Sequence, residues 1–167
     1  MNTRLVGSEM CIRDRAQTIL SNTVRPKRRK FGVEIESFYY KRGTIERIPV
    51  NDENCFSASK LLESVNSAVN ANSQYSYSLE PGGQLEWASG PSTSLWEITD
   101  QFDENTLIQE ELCKSNGIDI GYFSVEPVSM PFDIRLIDSE KYRLMNDLFI
   151  KTGDLGPWMM RNTTSIQ

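Results

Sequence analysis

The chain has no histidine among its 167 residues, and that absence excludes more chemistry than any residue present. Ser-His-Asp and Cys-His nucleophilic catalysis, imidazole general bases and histidine-containing zinc sites are all ruled out together. Cysteine is scarce: Cys11, Cys55 and Cys113 are an odd number with no C-x-x-C pair. Neither a disulfide framework nor a cysteine-rich zinc site is supported, and a reducing, cytoplasmic setting is expected. No run approaches the roughly 18–20 apolar residues of a membrane span, and no secretory signal pattern is evident. Positive charge is also short, with 18 Lys plus Arg against 23 Asp plus Glu and a net charge of −5. A binder of nucleic acid or of membrane surfaces would need the opposite field. What remains for chemistry is carboxylates, amides, hydroxyls, thiols, Lys and Arg, or an ion that they hold.

A chain of this length has room for one domain or a piece of a larger one. Hydrophobic residues at 38%, with 10% aromatics, are enough for a packed core. The stretch Val6–Arg15 has no helix or strand period. It resembles the peptide obtained when sequencing-adapter DNA is translated in frame, so residues 1–15 are read as a non-native segment outside the fold. Residues 16–30 end in the basic run Arg25-Pro26-Lys27-Arg28-Arg29-Lys30, read as a solvated lead-in. The domain proper is expected over 31–167. Met159–Gln167 is rich in β-favouring residues and reads as a strand cut in the middle, so the chain is expected to be a fragment.

Between these ends the hydrophobic period alternates. Phe31–Tyr40 has period two, with Phe31, Val33, Ile35 and Tyr39 on one face and Glu34 and Glu36 on the other. Leu61, Leu62, Val65 and Val69 predict a helix within 57–70. Tyr75–Ser89 reads as two extended pieces around Pro81-Gly82-Gly83. Leu95, Ile98, Phe102, Ile108 and Leu112 predict a helix over 94–116 that stops at Gly117. A strand over 118–125 follows, and then a helix over about 138–151 with Asp138 as its N-cap and Gly153 beyond its end. Strands that alternate polar and apolar residues favour a sheet packed on one face and open on the other. The expected class is therefore α+β, largely antiparallel, with helices on one face.

Carboxylates recur on the open face. Glu34 and Glu36 stand two apart on one strand, about 6.6 Å between Cα atoms from the strand rise. Glu86 shares a face with Gln84 and Ala88 on a second strand, and Glu80 precedes a Pro-Gly-Gly turn that lets backbone approach a ligand closely. If these strands are neighbours, three or four carboxylates meet at one patch and repel unless a cation lies among them. Oxygen-only donors suit Mg²⁺ or Mn²⁺, which complete their shells with water and substrate phosphates. Two other readings compete. One is a solvated outer strand face. The other is a glycosidase acid–nucleophile pair at about 5–9 Å, which leaves Gln84 and the closing Thr/Gln strand without roles.

Four segments carry a resemblance: Phe31-Gly32-Val33-Glu34-Ile35-Glu36, Ser78-Leu79-Glu80-Pro81-Gly82-Gly83-Gln84-Leu85-Glu86, Tyr142–Met145 and Gly153–Gln167. In this order they are similar to the glutamate–cysteine ligases of plant and bacterial type, and Glu-Pro-Gly-Gly-Gln-x-Glu is the most specific motif. The resemblance implies a glutamine synthetase-like carboxylate–amine ligase fold, truncated here to its N-terminal portion. It implies that ATP phosphorylates the γ-carboxylate of glutamate and that the amine of cysteine then displaces phosphate, the first step of glutathione-type thiol synthesis. By the same resemblance Glu34, Glu36, Glu80 and Glu86 would hold Mg²⁺, Gln167 would lie beside the metal–phosphate cluster, and Arg161, sharing strand parity with Thr163 and Gln167, would touch substrate carboxylate or phosphate. The expected partners are glutamate and cysteine, with no nucleic acid and no membrane. A ligase for another acceptor amine and a non-catalytic module of the same fold are the alternatives. The fragment alone is expected to be inactive and poorly soluble.

Overall fold

A computed structural model describes residues 3–21, 23 and 29–167. The chain divides into two units, Met1–Phe31 and Gly32–Gln167. In the first, Thr3–Ser21 forms helix α1. Residues 6–15, which carry no helix or strand period, lie within it. Residues 12–21 of α1 are all exposed, so the helix has no buried stripe there, and this explains why no apolar period marks it. Most of the basic run Arg25–Lys30 lies outside the described residues.

The second unit is built on the alternating strand β1, Glu34–Lys41. With β2 (Ser76–Leu79), β3 (Leu85–Ala88) and β4 (Ile118–Gly121) it forms a four-stranded sheet in the order β2-β3-β1-β4. Every pairing is antiparallel, so the unit is α+β as expected. One sheet face carries Tyr39, Tyr77, Leu85, Trp87 and Ile118. It packs against helix α2 (Ala58–Ala68) through Leu61 and Val65 and against helix α3 (Leu95–Asn116) through Ile98 and Cys113. Ser57 caps α2 by accepting from the Lys60 amide at 3.4 Å. α3 stops at Gly117, whose φ of +65° is a left-handed conformation that favours glycine.

Two polar residues inside α3 were not marked by the apolar pattern. Asn105 and Gln109 are buried because they receive the hydroxyls of Tyr77, at 2.7 Å, and Tyr39. A buried phenol needs such an acceptor. Leu95, expected on the packed stripe, is the first residue of α3 and stays 66% exposed; burial begins one turn later at Ile98.

After Gly121 the chain leaves the sheet, so the expected strand over 118–125 is shorter than its sequence suggested. Val125 bridges Thr163 instead. Helix α4, Glu140–Thr152, is preceded by Ser139 in the cap position, while Asp138 pairs with Arg143 at 3.7 Å. A further correction concerns the last residues. Leu155–Asn162 is helix α5, and only Thr163–Gln167 is extended. Gly156 allows this, since a Cβ there would stand 2.4 Å from the Phe149 Cβ of α4; packing of α5 on α4 outweighs β propensity. The extended residues join the start of β1: Glu34 N–H donates to the Gln167 carbonyl at 2.9 Å and Glu36 N–H to that of Ser165 at 3.0 Å.

The expectation of helices on one face holds for α2 and α3. α4 and α5 border the opposite face, where the Tyr142 hydroxyl reaches the Leu79 carbonyl at 3.4 Å and the Arg161 backbone closes on Gly82.

Candidate metal centre

Register decides which carboxylates meet. Glu36 stands directly opposite Glu86 across the β1–β3 ladder, and Glu86 stands opposite Ser78 across β2–β3. Glu80 enters from the hairpin that joins β2 to β3. There the Gly83 amide donates to the Glu80 carbonyl at 2.8 Å and the Glu80 amide donates to Gln84 at 2.9 Å. Gly83 takes φ +82°, the left-handed residue that closes a three-residue hairpin loop after a proline-led turn. The turn swings the Glu80 side chain over the strand pair.

Glu36, Glu80 and Glu86 consequently each place one carboxylate oxygen within 4.8 Å of the others'. All three are half-buried. Burial is the main cause that pushes the Glu36 carboxyl up from its ordinary value, against two bonds from Ser165; the charges of Glu86 and Glu34 add to it. Burial likewise raises Glu80, followed by the charges of Glu36 and Glu86, while Lys141 acts in the opposite direction. Opposite oxygens on one Mg²⁺ stand about 4.2 Å apart, twice its bond length. Of three oxygens on one octahedral ion at most one pair is opposite and adjacent ones stand about 3 Å apart, so these side chains would have to close in by rotation to share an ion. The donor set, all oxygen and mutually repelling, fits a hard cation.

The other expected residues take different places. Glu34 is exposed and lies outside the three-oxygen group, although its charge is felt by Glu36 and Glu80. Gln167 is exposed and donates through Nε2 to Ser165 Oγ at 2.9 Å. Arg161 sits on α5, so the parity argument linking it to Thr163 and Gln167 does not apply. Its guanidinium donates to the Ile134 carbonyl at 3.2 Å and to Asn146 Oδ1 at 2.6 Å, and Nη1 has no hydrogen-bond partner among the described residues.

Several residues of the site carried no sequence signal of their own. Ser165 donates to Glu36 twice, through N–H and Oγ, both at 3.0 Å. Ser78 Oγ donates to Glu86 at 2.9 Å. Tyr142 was visible only within the family-like segment 142–145. Its hydroxyl is raised by burial and by the charges of Glu80 and Glu86. A pocket of about 260 Å³ beside the group is lined by Glu36, Tyr122, Phe123, Thr164 and Ser165. A separate hollow of about 370 Å³, lined by Tyr75 and Glu104, holds none of these carboxylates.

The sequence pattern of glutamate-cysteine ligase family 2 (GCS2) matches residues 30–167. The chain belongs to that family. Among curated relatives, glutamate–cysteine ligase A, chloroplastic, of rice (Oryza sativa subsp. japonica) is 27% identical over 139 residues, 83% of this chain and 28% of the relative. The chloroplastic glutamate–cysteine ligase of tobacco (Nicotiana tabacum) is 24% identical over 174 residues, 98% of this chain and 33% of the relative. That of Medicago truncatula is 25% identical over 148 residues, 83% and 29%. The chain thus spans about a third or less of the GCS2 relatives it matches. Their names put those ligases in the chloroplast, where cysteine usage had suggested cytoplasm for this chain. No helix among the described residues is long and apolar enough to cross a membrane.

Proposed function

We propose that this chain supplies the metal-binding wall of an ATP-dependent glutamate–cysteine ligase with the glutamine synthetase-like carboxylate–amine ligase fold. The carrying observation is the convergence of Glu36, Glu80 and Glu86, from two strands and a hairpin, within 4.8 Å, in a chain of the GCS2 family.

Glu36, Glu80 and Glu86 would hold Mg²⁺ or Mn²⁺, with Glu34 at the rim as a charge that strengthens attraction without direct ligation. A divalent ion here would supply neutralisation of ATP phosphates against the substrate carboxylate. Ser165 and Ser78 keep Glu36 and Glu86 aimed by hydrogen bonds. The γ-carboxylate of glutamate takes the terminal phosphoryl group of ATP. The cysteine amine then attacks the γ-carbonyl and phosphate leaves, so no side-chain nucleophile is needed, in keeping with a chain that lacks histidine. Gln167, at the rim with Ser165, is the proposed contact to the metal–phosphate cluster. Arg161 is proposed to act on substrate through Nη1, which has no hydrogen-bond partner among the described residues. The compartment proposed is a reducing one, the cytoplasm by the cysteine count. Complete ligation is proposed to need the remaining family length, so this chain alone is expected to be inactive and poorly soluble.

Mn²⁺ titration of the chain followed by electron paramagnetic resonance tests the metal reading. Binding that is lost in Glu36→Gln and in Glu86→Gln is expected; equal binding by both variants and the parent overturns it. For the reaction, phosphate release from ATP that requires both glutamate and cysteine is expected of the full-length polypeptide, and release indifferent to cysteine would redirect the acceptor.

A further inference from the structure

The metal-bearing turn is held in place by bonds to its carbonyls, and one of its anchors is a side chain with no assigned role. The Glu80 carbonyl accepts from Gly83, at 2.8 Å, and the Pro81 carbonyl from the Ile137 amide at 2.9 Å. The Gly82 carbonyl accepts from Arg47 Nη2 at 2.8 Å. The other arm of the same guanidinium, Nη1, donates to the Arg161 carbonyl at 2.8 Å. Arg47 lies on the return arm of the hairpin after β1, bridged to Tyr40. Its guanidinium sits 4.6 Å over the ring of Phe38, two residues from Glu36 on the same strand face.

We propose that Arg47 is a positioning residue for the metal centre: its fork ties the Glu80-Pro81-Gly82-Gly83 turn to α5 and to β1, and so fixes Glu80 over Glu36 and Glu86. Geometry excludes the simpler role of charge partner, because Arg47 makes no ion pair with any of the three glutamates among the described residues. Its donors go to backbone. The fit around the turn is tight enough to transmit a shift, since a Cβ on Gly82 would stand 2.7 Å from the Arg161 Cα. A planar fork can serve two carbonyls and stack on an aromatic ring at once, which a lysine ammonium does not do.

The inference rests on the proposed metal reading, and Mn²⁺ titration of the whole chain separates the two. Arg47→Gln is expected to weaken Mn²⁺ affinity by about tenfold or more, the scale of residues that orient metal ligands. Arg47→Lys should fall between, since one of the two carbonyls loses its donor. Tyr39→Phe removes a hydrogen bond to Gln109 in the core on the opposite sheet face and should leave Mn²⁺ affinity unchanged, which controls for general destabilisation. Parent-like affinity in Arg47→Gln, or an equal loss in Tyr39→Phe, overturns the positioning role while leaving the metal site standing. Should Arg47→Gln fail to fold by circular dichroism, Arg47→Lys decides alone, and parent-like affinity overturns the proposal. If Glu36→Gln and Glu86→Gln both bind Mn²⁺ as the parent does, the metal reading itself has failed and this inference with it.

Discussion

Glu126 and Glu80 are both glutamates removed from bulk water, yet the chain treats them in opposite ways. Glu126 is 2% exposed and fully served: the amides of Val128 and Ser129 donate to it at 3.0 and 2.6 Å, and the Tyr40 hydroxyl approaches at 3.5 Å. Glu80 is half-buried and its carboxylate accepts no hydrogen bond among the described residues, while two further carboxylates crowd it. A carboxylate that serves structure receives its donors from the fold. One left short of donors and pressed against like charges is what the proposed cation site requires.

The contrast can be tested most severely at Glu126. Glu126→Ala strands two backbone donors and a phenol in a buried place, and should cost about 2–4 kcal/mol in urea unfolding; a loss under half a kcal/mol would remove Glu126 as the structural reference. Gly82→Ala is next, at roughly 1–3 kcal/mol, because its new methyl meets the Arg161 backbone. Glu80→Gln should behave in the opposite sense to Glu126→Ala. Without metal at neutral pH its Tm should be unchanged or slightly raised, and the Tm gain on adding Mn²⁺ should disappear.

The pH dependence sharpens the same difference. Glu36 and Glu80 are raised in the folded chain, so the native state binds their protons more tightly than the unfolded state. Their contribution to stability is therefore greatest below the ordinary glutamate value, about 4.3. It is lost as pH rises through the raised native values. Glu80→Gln should flatten this part of a metal-free Tm–pH curve, and an unchanged slope would show that Glu80 is not held above its ordinary value. The smallest effect belongs to Glu34→Gln. Being exposed and outside the three-oxygen group, it should weaken Mn²⁺ affinity less than about threefold through lost long-range attraction alone. A loss matching Glu86→Gln would make it a ligand after all.

Much of the site was legible in the chain because period two places Glu34, Glu36 and Glu86 on open strand faces, and because Pro-Gly-Gly marks the turn that carries Glu80. The helix over 58–68 and the stop of α3 at Gly117 were legible for equally local reasons: apolar spacing and the need for a left-handed residue. Arg161 was misplaced because Met159–Thr164 favours strand locally, whereas Gly156 lets the segment pack as a helix on α4. Arg47 gave no signal, since donation to two carbonyls distant in the chain leaves no pattern nearby.

Local sequence by itself determined the strand faces and the hairpin turn, which depend on neighbours a few residues apart. Only the tertiary structure decided that Glu36 faces Glu86, that Glu34 is left outside, and that Arg47 reaches Gly82. Those relations depend on the register of strands about fifty residues apart, and register is set by burying the Tyr39, Leu85 and Trp87 face against α2 and α3.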